Sequence, residues 1–151
     1  EYLWNEIRVK GGAYGCGFRT MMDRQLAFYT YRDPAIDPSL ERIARAGEWL
    51  STFEPTRDAF EGMVVSCASG FDAPIKPYAL TKRQDNEYFA KRPANWRLEL
   101  REQLLKATPE DLRQLGKTVT RVAEAAPACV FGGRDIIEAS HADLVPVDLL
   151  A

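Results

Sequence analysis

The chain has 151 residues, 46% of them hydrophobic and 28% charged, with 20 basic against 22 acidic side chains and a net charge of −2. That composition is ordinary for a soluble globular protein, and its near-neutral balance argues against a nucleic-acid partner, which normally needs a basic face. No apolar run approaches the roughly eighteen residues of a membrane span and no basic-then-apolar leader is visible, so neither a nucleic-acid nor a membrane partner is expected.

A chain of this length predicts one domain that buries roughly 70% of its unfolded surface. It opens on Glu1 rather than Met, the mark of a processed chain or of a piece of something longer. Residues 1 to about 7 read as the end of a helix with Leu3 and Ile7 on one face. Gly11-Gly12 breaks it, as at a left-handed C-cap. From Tyr14 to Met21 large and small residues alternate: Tyr14, Cys16, Phe18 and Thr20 share one face, Gly15 and Gly17 the other. Asp23-Arg24 turns this strand into a second, Gln25 to Tyr31, and Arg32-Asp33-Pro34 ends the hairpin.

Helices follow. Asp37-Pro38 supplies an N-cap and a first-turn proline, with Leu40, Ile43, Ala44, Gly47 and Leu50 at helical spacing. A second helix starts near Thr56, turns Phe60, Met63, Val64 and Cys67 inward, and stops near Gly70. Tyr78 to Lys91 forms a third, and Trp96, Leu100 and Leu104 mark a fourth after Pro93. Thr108-Pro109-Glu110-Asp111 caps a fifth, whose stripe is Leu112, Leu115, Val119, Val122 and Ala126. Ala128 to Phe131 reads as a short buried strand, followed by a brief helix at 134–139 and an extended stretch at 144–149. Hairpin, helices, then strand predicts an α+β domain with helices on one face of a mainly antiparallel sheet.

Cys16, Cys67 and Cys129 form no CxxC, and an odd, scattered set predicts buried reduced thiols rather than a disulfide framework. His141 is the sole histidine and reads as a surface residue, so no protein-only metal site is expected in this chain. The Gly-rich run lacks the GxxxxGK[ST] ending and leads from helix to strand, the wrong order for a phosphate cradle.

Chemistry therefore concentrates between Trp4 and Phe18, where a stretch containing Gly11 and Gly12 separates Arg8 from Tyr14, and Gly15 and Gly17 follow the tyrosine. The plain structural reading is an edge tyrosine beside a helix-end arginine. The functional one has Tyr14 donating a hydrogen bond to an oxyanion while Arg8 fixes a neighbouring carbonyl, a contribution worth on the order of 10²–10³ in rate. Gly11 and Gly12 would let the loop place both side chains against substrate. A separate possibility is a peptide-binding module whose bare Gly15/Gly17 face accepts an extended strand.

The run "YLWNEIRVKGGAYGCGF…YTYRDP" closely resembles the C-terminal half of the pitrilysin-type zinc metallopeptidases, particularly their presequence-protease and falcilysin branch. The close, "ACVFGGRDIIEASHADLVPVDLL", is similar to the strand, glycine turn, short helix and strand that end such domains. The resemblance implies a pitrilysin or mitochondrial-processing-peptidase-like domain of which residues 1–151 are the C-terminal portion, short of its early strands. It implies an enzyme of two clam-like halves, with zinc and the catalytic glutamate in an N-terminal half that is the partner of this one. By motif position Arg8 and Tyr14 are its substrate-closing pair, acting on unstructured peptides. Zinc is then a cofactor of the full-length enzyme, not of this chain, which alone is expected to be inactive and to self-associate through its exposed sheet edge. The same resemblance implies cytoplasm for a bacterial source and an organellar matrix, mitochondrion or plastid, otherwise. A scaffold homologue that has lost catalysis is the alternative.

Overall fold

The computed structural model describes residues 1–20 and 25–147. Its first helical segment is wound more loosely than an α-helix. Trp4–Val9 is a π-helix, in which the Lys10 N–H donates to the Asn5 carbonyl five residues back at 3.0 Å. Such windings are rare and concentrate at functional sites. Leu3 and Ile7 predict an ordinary α-turn, and the wider winding is a correction that their spacing does not reveal. Ile7 is almost wholly buried, whereas Trp4 and Val9 are exposed.

Gly12, at φ 81°, ends the segment in the left-handed conformation that the glycine pair predicts. Its N–H donates to the Arg8 carbonyl at 3.0 Å, and the Ala13 N–H donates to the Ile7 carbonyl at 3.2 Å. The chain then enters β1 (Gly15–Thr20), which pairs antiparallel with β2 (Leu26–Tyr31). Gly15 faces Tyr31, Gly17 faces Tyr29, and Phe18 faces Phe28, whose rings meet at 4.9 Å. The expected hairpin is present; its Asp23-Arg24 turn lies outside the described residues.

The single helix expected from Asp37 to Leu50 is two, α1 (Ile36–Ala44) and α2 (Ala46–Ser51), which part at Arg45. Asp37 is not its N-cap. The N-cap is Ala35, which has no side-chain cap and whose N–H donates to the Asp33 carboxylate at 3.1 Å, and Asp37 lies inside the first turn. α3 (Arg57–Asp72) starts beside Thr56 as predicted, and the Thr56 side chain caps it by accepting the Ala59 N–H at 3.3 Å. Met63 and Cys67 are nevertheless exposed, because α3 packs on α5 (Trp96–Leu105) and turns those positions outward. The Arg101 fork grips Asp72 at 2.7 and 2.8 Å across that contact. Cys129 is exposed as well, so of the three thiols only Cys16 is even half-buried, against the buried set expected.

Between these lies α4 (Pro77–Phe89), and α6 (Pro109–Ala125) follows with the Thr108 cap its sequence predicts, completed by Asp111 into a capping box. Thr108 accepts the Asp111 N–H at 3.3 Å and Asp111 accepts the Thr108 N–H at 2.7 Å. Its buried face differs from the predicted stripe: Leu115 is 52% exposed and Ala126 is exposed, while Gly116 is buried. Gly116 faces Gly47 of α2. A methyl group on Gly47 would lie 2.5 Å from the Gly116 carbonyl oxygen, and one on Gly116 would lie 2.6 Å from that of Gly47. Backbone meets backbone here, which only glycine permits on both sides.

The segment 128–131 is not the expected strand: it carries no ladder, and Phe131 is 91% exposed. The brief helix is α7 (Arg134–Glu138). Residues 144–147 form no strand, and the remainder of that expected stretch lies outside the described residues. The α+β expectation thus holds in a coarse form, a mixed and mainly helical fold with an antiparallel sheet of two strands among the described residues. The deeply buried apolar residues described are Ile7, Ala13 and Ala46. The chain exposes 11673 Å² for 17.0 kDa, against roughly 7,700 Å² from the surface scaling of compact monomers. By the same scaling it buries about half of its unfolded surface, short of the ~70% its length predicts.

Gly116→Ala should destabilise the chain by about 1–3 kcal/mol through overpacking at this crossing. Gly62→Ala on α3, where an added methyl meets nothing within 4 Å, should stabilise it by about 0.5–1 kcal/mol. Paired urea titrations measure both, and a neutral Gly116→Ala would rule out the close α2–α6 approach.

Candidate functional site at the helix–strand junction

The predicted site residues flank one junction. Arg8 lies in the last turn of the π-helix, Gly11 and Gly12 form its end, and Tyr14 immediately precedes β1. The Tyr14 backbone is fixed: its N–H lies 3.1 Å from the Tyr31 carbonyl and 3.3 Å from that of Arg32. Its side chain is not enclosed. Tyr14 is 65% exposed, its ring set edge-on to Tyr31 at 5.9 Å. Ala13, buried just before it, and the bond from Ala13 to Ile7 hold the peptide from which Tyr14 projects.

Arg8 and Tyr14 keep different company. The Arg8 guanidinium carbon stands 3.9 Å from the centre of the Trp4 ring, a cation–π contact made possible by their shared helical segment. The cation beside Tyr14 is Arg32, 5.8 Å from its ring and 5.5 Å from that of Tyr31. Arg32 holds φ at 48°, a left-handed conformation uncommon for a side chain of this size. Sequence reasoning treats Arg32 only as the end of a strand. The visible signal is its place before Asp33-Pro34, where the chain must leave the ladder abruptly.

Gly11 answers a steric demand rather than a conformational one. A methyl there would press on the Ile7 carbonyl and stand 2.6 Å from Nη1 of Arg42 in α1. That nitrogen is buried and has no hydrogen-bond partner among the described residues. The Gly17 face, expected to be bare, is covered: a methyl on Gly17 would lie 2.7 Å from the Tyr29 hydroxyl. Cross-strand pairing lays that ring over Gly17, whereas a methyl on Gly15 would meet only Cβ of Tyr31 at 3.9 Å.

Cys16 sits under the same segment, with its thiol donating to the Leu3 carbonyl at 3.2 Å. Burial pushes the thiol pKa up, partly offset by the backbone and charge of Arg8, which suits a packing role more than a nucleophilic one. Among the described residues no three His, Cys, Asp or Glu side chains gather into a group able to hold a metal ion. The side chains described here therefore do not fit a zinc site. No described helix is long and apolar enough to cross a membrane.

Residues 1–130 match the family described as the PreP C-terminal domain, so the stretch that contains Arg8, Gly11, Gly12 and Tyr14 lies inside the match. The chain belongs to the presequence-protease family. Over 112 residues, 74% of this chain, it is 32% identical to the mitochondrial presequence protease of Xenopus tropicalis and covers 11% of that protein. Over 119 residues, 78% of the chain, it is 33% identical to that of Schizosaccharomyces pombe and covers 12% of it. Protein HypA of Clostridium perfringens is 25% identical over 138 residues, 91% of the chain and 14% of that protein. The chain thus spans only about a tenth to a seventh of the relatives it matches. The pitrilysin-type resemblance of the opening run is met, while most of the closing run lies beyond the family match.

His141 is on the surface and serves as part of a latch. Asp37 accepts the Ser140 hydroxyl on one oxygen, and on the other the His141 N–H at 2.9 Å, with the His141 ring at 3.0 Å. The Ser140 bond first, then the two from His141, lower the Asp37 pKa from 3.8 to about 2. A carboxyl depressed by folding contributes above its unfolded pKa and loses that contribution as pH falls through the folded value. The latch between 140–141 and α1 should therefore hold at neutral pH and release between about pH 4 and about pH 2. Amide exchange at His141 should accelerate through that window, and Asp37→Asn should abolish the pH dependence.

Proposed function

We propose that residues 1–151 form the substrate-closing C-terminal segment of the last domain of a zinc-dependent oligopeptidase acting on unstructured peptides. The relatives' names as proteases support the reaction class. The observation that carries the site is Tyr14, a solvent-facing phenol whose backbone N–H is held at the Tyr31 and Arg32 carbonyls, next to Ala13, which bonds to the helix end. In this reading the zinc and the residues that hold it belong to an N-terminal half of the same protein. What this chain supplies is binding and electrostatics.

Closure over an extended peptide brings the Tyr14 hydroxyl to the scissile carbonyl, where it donates to the oxygen as negative charge develops. Arg8 leaves its stack on Trp4, at a cost of about 0.5–1 kcal/mol for an exposed cation–π contact, and donates to a neighbouring substrate carbonyl. Gly11 and Gly12 give the junction room for both side chains. Closure also excludes water, which strengthens each of these hydrogen bonds. The mitochondrial relatives support an organellar matrix for a eukaryotic source, and the cytoplasm is the corresponding compartment in a bacterium.

One observation favours a second reading, a scaffold homologue without catalysis: Arg8 rests on Trp4 rather than beside Tyr14. Kinetics of the complete protein separate the two. Tyr14→Phe should lower kcat on the order of 10²–10³ with little change in KM. Arg8→Ala should lower kcat/KM through substrate positioning. A change in KM alone for Tyr14→Phe would remove the oxyanion role, and unchanged kinetics for Arg8→Ala would remove Arg8 from the site. Purified residues 1–151 should carry no stoichiometric zinc by elemental analysis; one tight zinc per chain would overturn the assignment of the metal to the other half.

A further inference from the structure

Two described residues other than glycine hold a positive φ, Lys91 at 53° and Arg32 at 48°. Helix termination accounts for Lys91. Its N–H donates to the Tyr88 carbonyl and the Arg92 N–H donates to the Glu87 carbonyl, each at 2.9 Å, the paired bonds of a Schellman end to α4. Arg32 ends no helix. It directly follows β2, at a position where glycine would hold the same backbone at less cost. A long cationic side chain kept in a left-handed conformation points to a use for that side chain.

Both ends of Arg32 are applied to Tyr14. Its carbonyl lies 3.3 Å from the Tyr14 N–H, which it shares with the Tyr31 carbonyl at 3.1 Å. Its guanidinium carbon stands 5.8 Å from the centre of the Tyr14 ring and 5.5 Å from that of Tyr31, and the two rings meet edge to face at 5.9 Å. The cation is thus within reach of both ring quadrupoles of one aromatic pair. Among the described residues its guanidinium makes these ring contacts and no ion pair. The neighbouring Asp33 carboxylate accepts the Ala35 N–H instead.

Restraint matters at Tyr14 because its side chain is exposed. Three staggered χ1 wells are open to such a side chain, so an unrestrained phenol spends about a third of its time in any one. A donor to an oxyanion has to occupy the productive well as the charge develops.

We propose that Arg32 is the positioning residue for Tyr14: a left-handed backbone sets its guanidinium against the Tyr14 and Tyr31 rings, and this contact holds the Tyr14 hydroxyl where it donates. The proposal rests on the oxyanion role of Tyr14 given above. It also divides the work of two arginines, since Arg32 orients the phenol while Arg8 serves a substrate carbonyl.

Kinetics of the complete protein on an unstructured peptide test it. Arg32→Gly should lower kcat about two- to fivefold, the factor that one exposed cation–π contact or one χ1 well in three corresponds to. KM should stay nearly constant. The melting temperature should hold, because the ease of glycine in a left-handed backbone offsets the lost ring contacts. Arg32→Lys, which keeps the charge, should recover most of the loss. In a Tyr14→Phe background Arg32→Gly should have no further effect, since there is no hydroxyl left to orient. Several results would overturn the proposal: an unchanged kcat in Arg32→Gly, an equal loss in both backgrounds, a melting temperature that falls in step with kcat, or no recovery with lysine. Each of these leaves the oxyanion role standing if Tyr14→Phe alone is slow. A Tyr14→Phe enzyme with unchanged kcat sinks that role and this proposal together.

Discussion

The bond from the Ala13 N–H to the Ile7 carbonyl is the constraint on which the arrangement of the site depends. Ile7 and Ala13 are two of the three apolar residues described as deeply buried, so the bond joins two anchored points. Between them the chain must reverse out of a widened helix within five residues. Gly12 supplies the left-handed turn, and Gly11 supplies the clearance that the Ile7 carbonyl and Arg42 require. Arg8 and Tyr14 are then the residues that directly follow each anchor. The Tyr14 side chain projects from this fixed backbone into solvent, while the Arg8 guanidinium lies against the Trp4 ring.

The rest of the chain is held by a different device. The Gly47–Gly116 crossing lets α2 and α6 approach until backbone meets backbone, and Ser51 and Thr120 bond back to those glycine carbonyls at 2.9 and 3.1 Å. This contact joins the middle of the chain to its later part without much apolar side-chain burial. The sheet, by contrast, has one face knitted by aromatic pairs and one edge bordering an empty slot. The fold is thus tightly closed at one crossing and open at one edge.

Much of this was legible because it is local. The cap at Thr108, the helix start at Thr56, the hairpin and the glycine turn at Gly11-Gly12 each follow from residues a few positions apart. What escaped is non-local. The stripe at Leu112 and Leu115 obeys helical spacing, but which residue on that helix is buried depends on what crosses it. A glycine facing a glycine has no hydrophobic signal. Ala128 to Phe131 has strand composition and no neighbour, so its pairing could not follow from its own residues. In the candidate site, sequence placed Arg8 and Tyr14 at one junction, but the stacking of Arg8 on Trp4 and the approach of Arg32 to Tyr14 are side-chain choices made in three dimensions.

The sequence by itself determined the family, the junction and the chemistry available there, because motif, glycine conformation and residue type are properties of short stretches of chain. Only the tertiary structure decided that Tyr29 covers Gly17, that α2 and α6 meet through glycine, and that the free edge of β2 borders an open slot. Those outcomes depend on which surfaces meet, and contact between distant segments is set by the packing of the whole rather than by the pattern of any part.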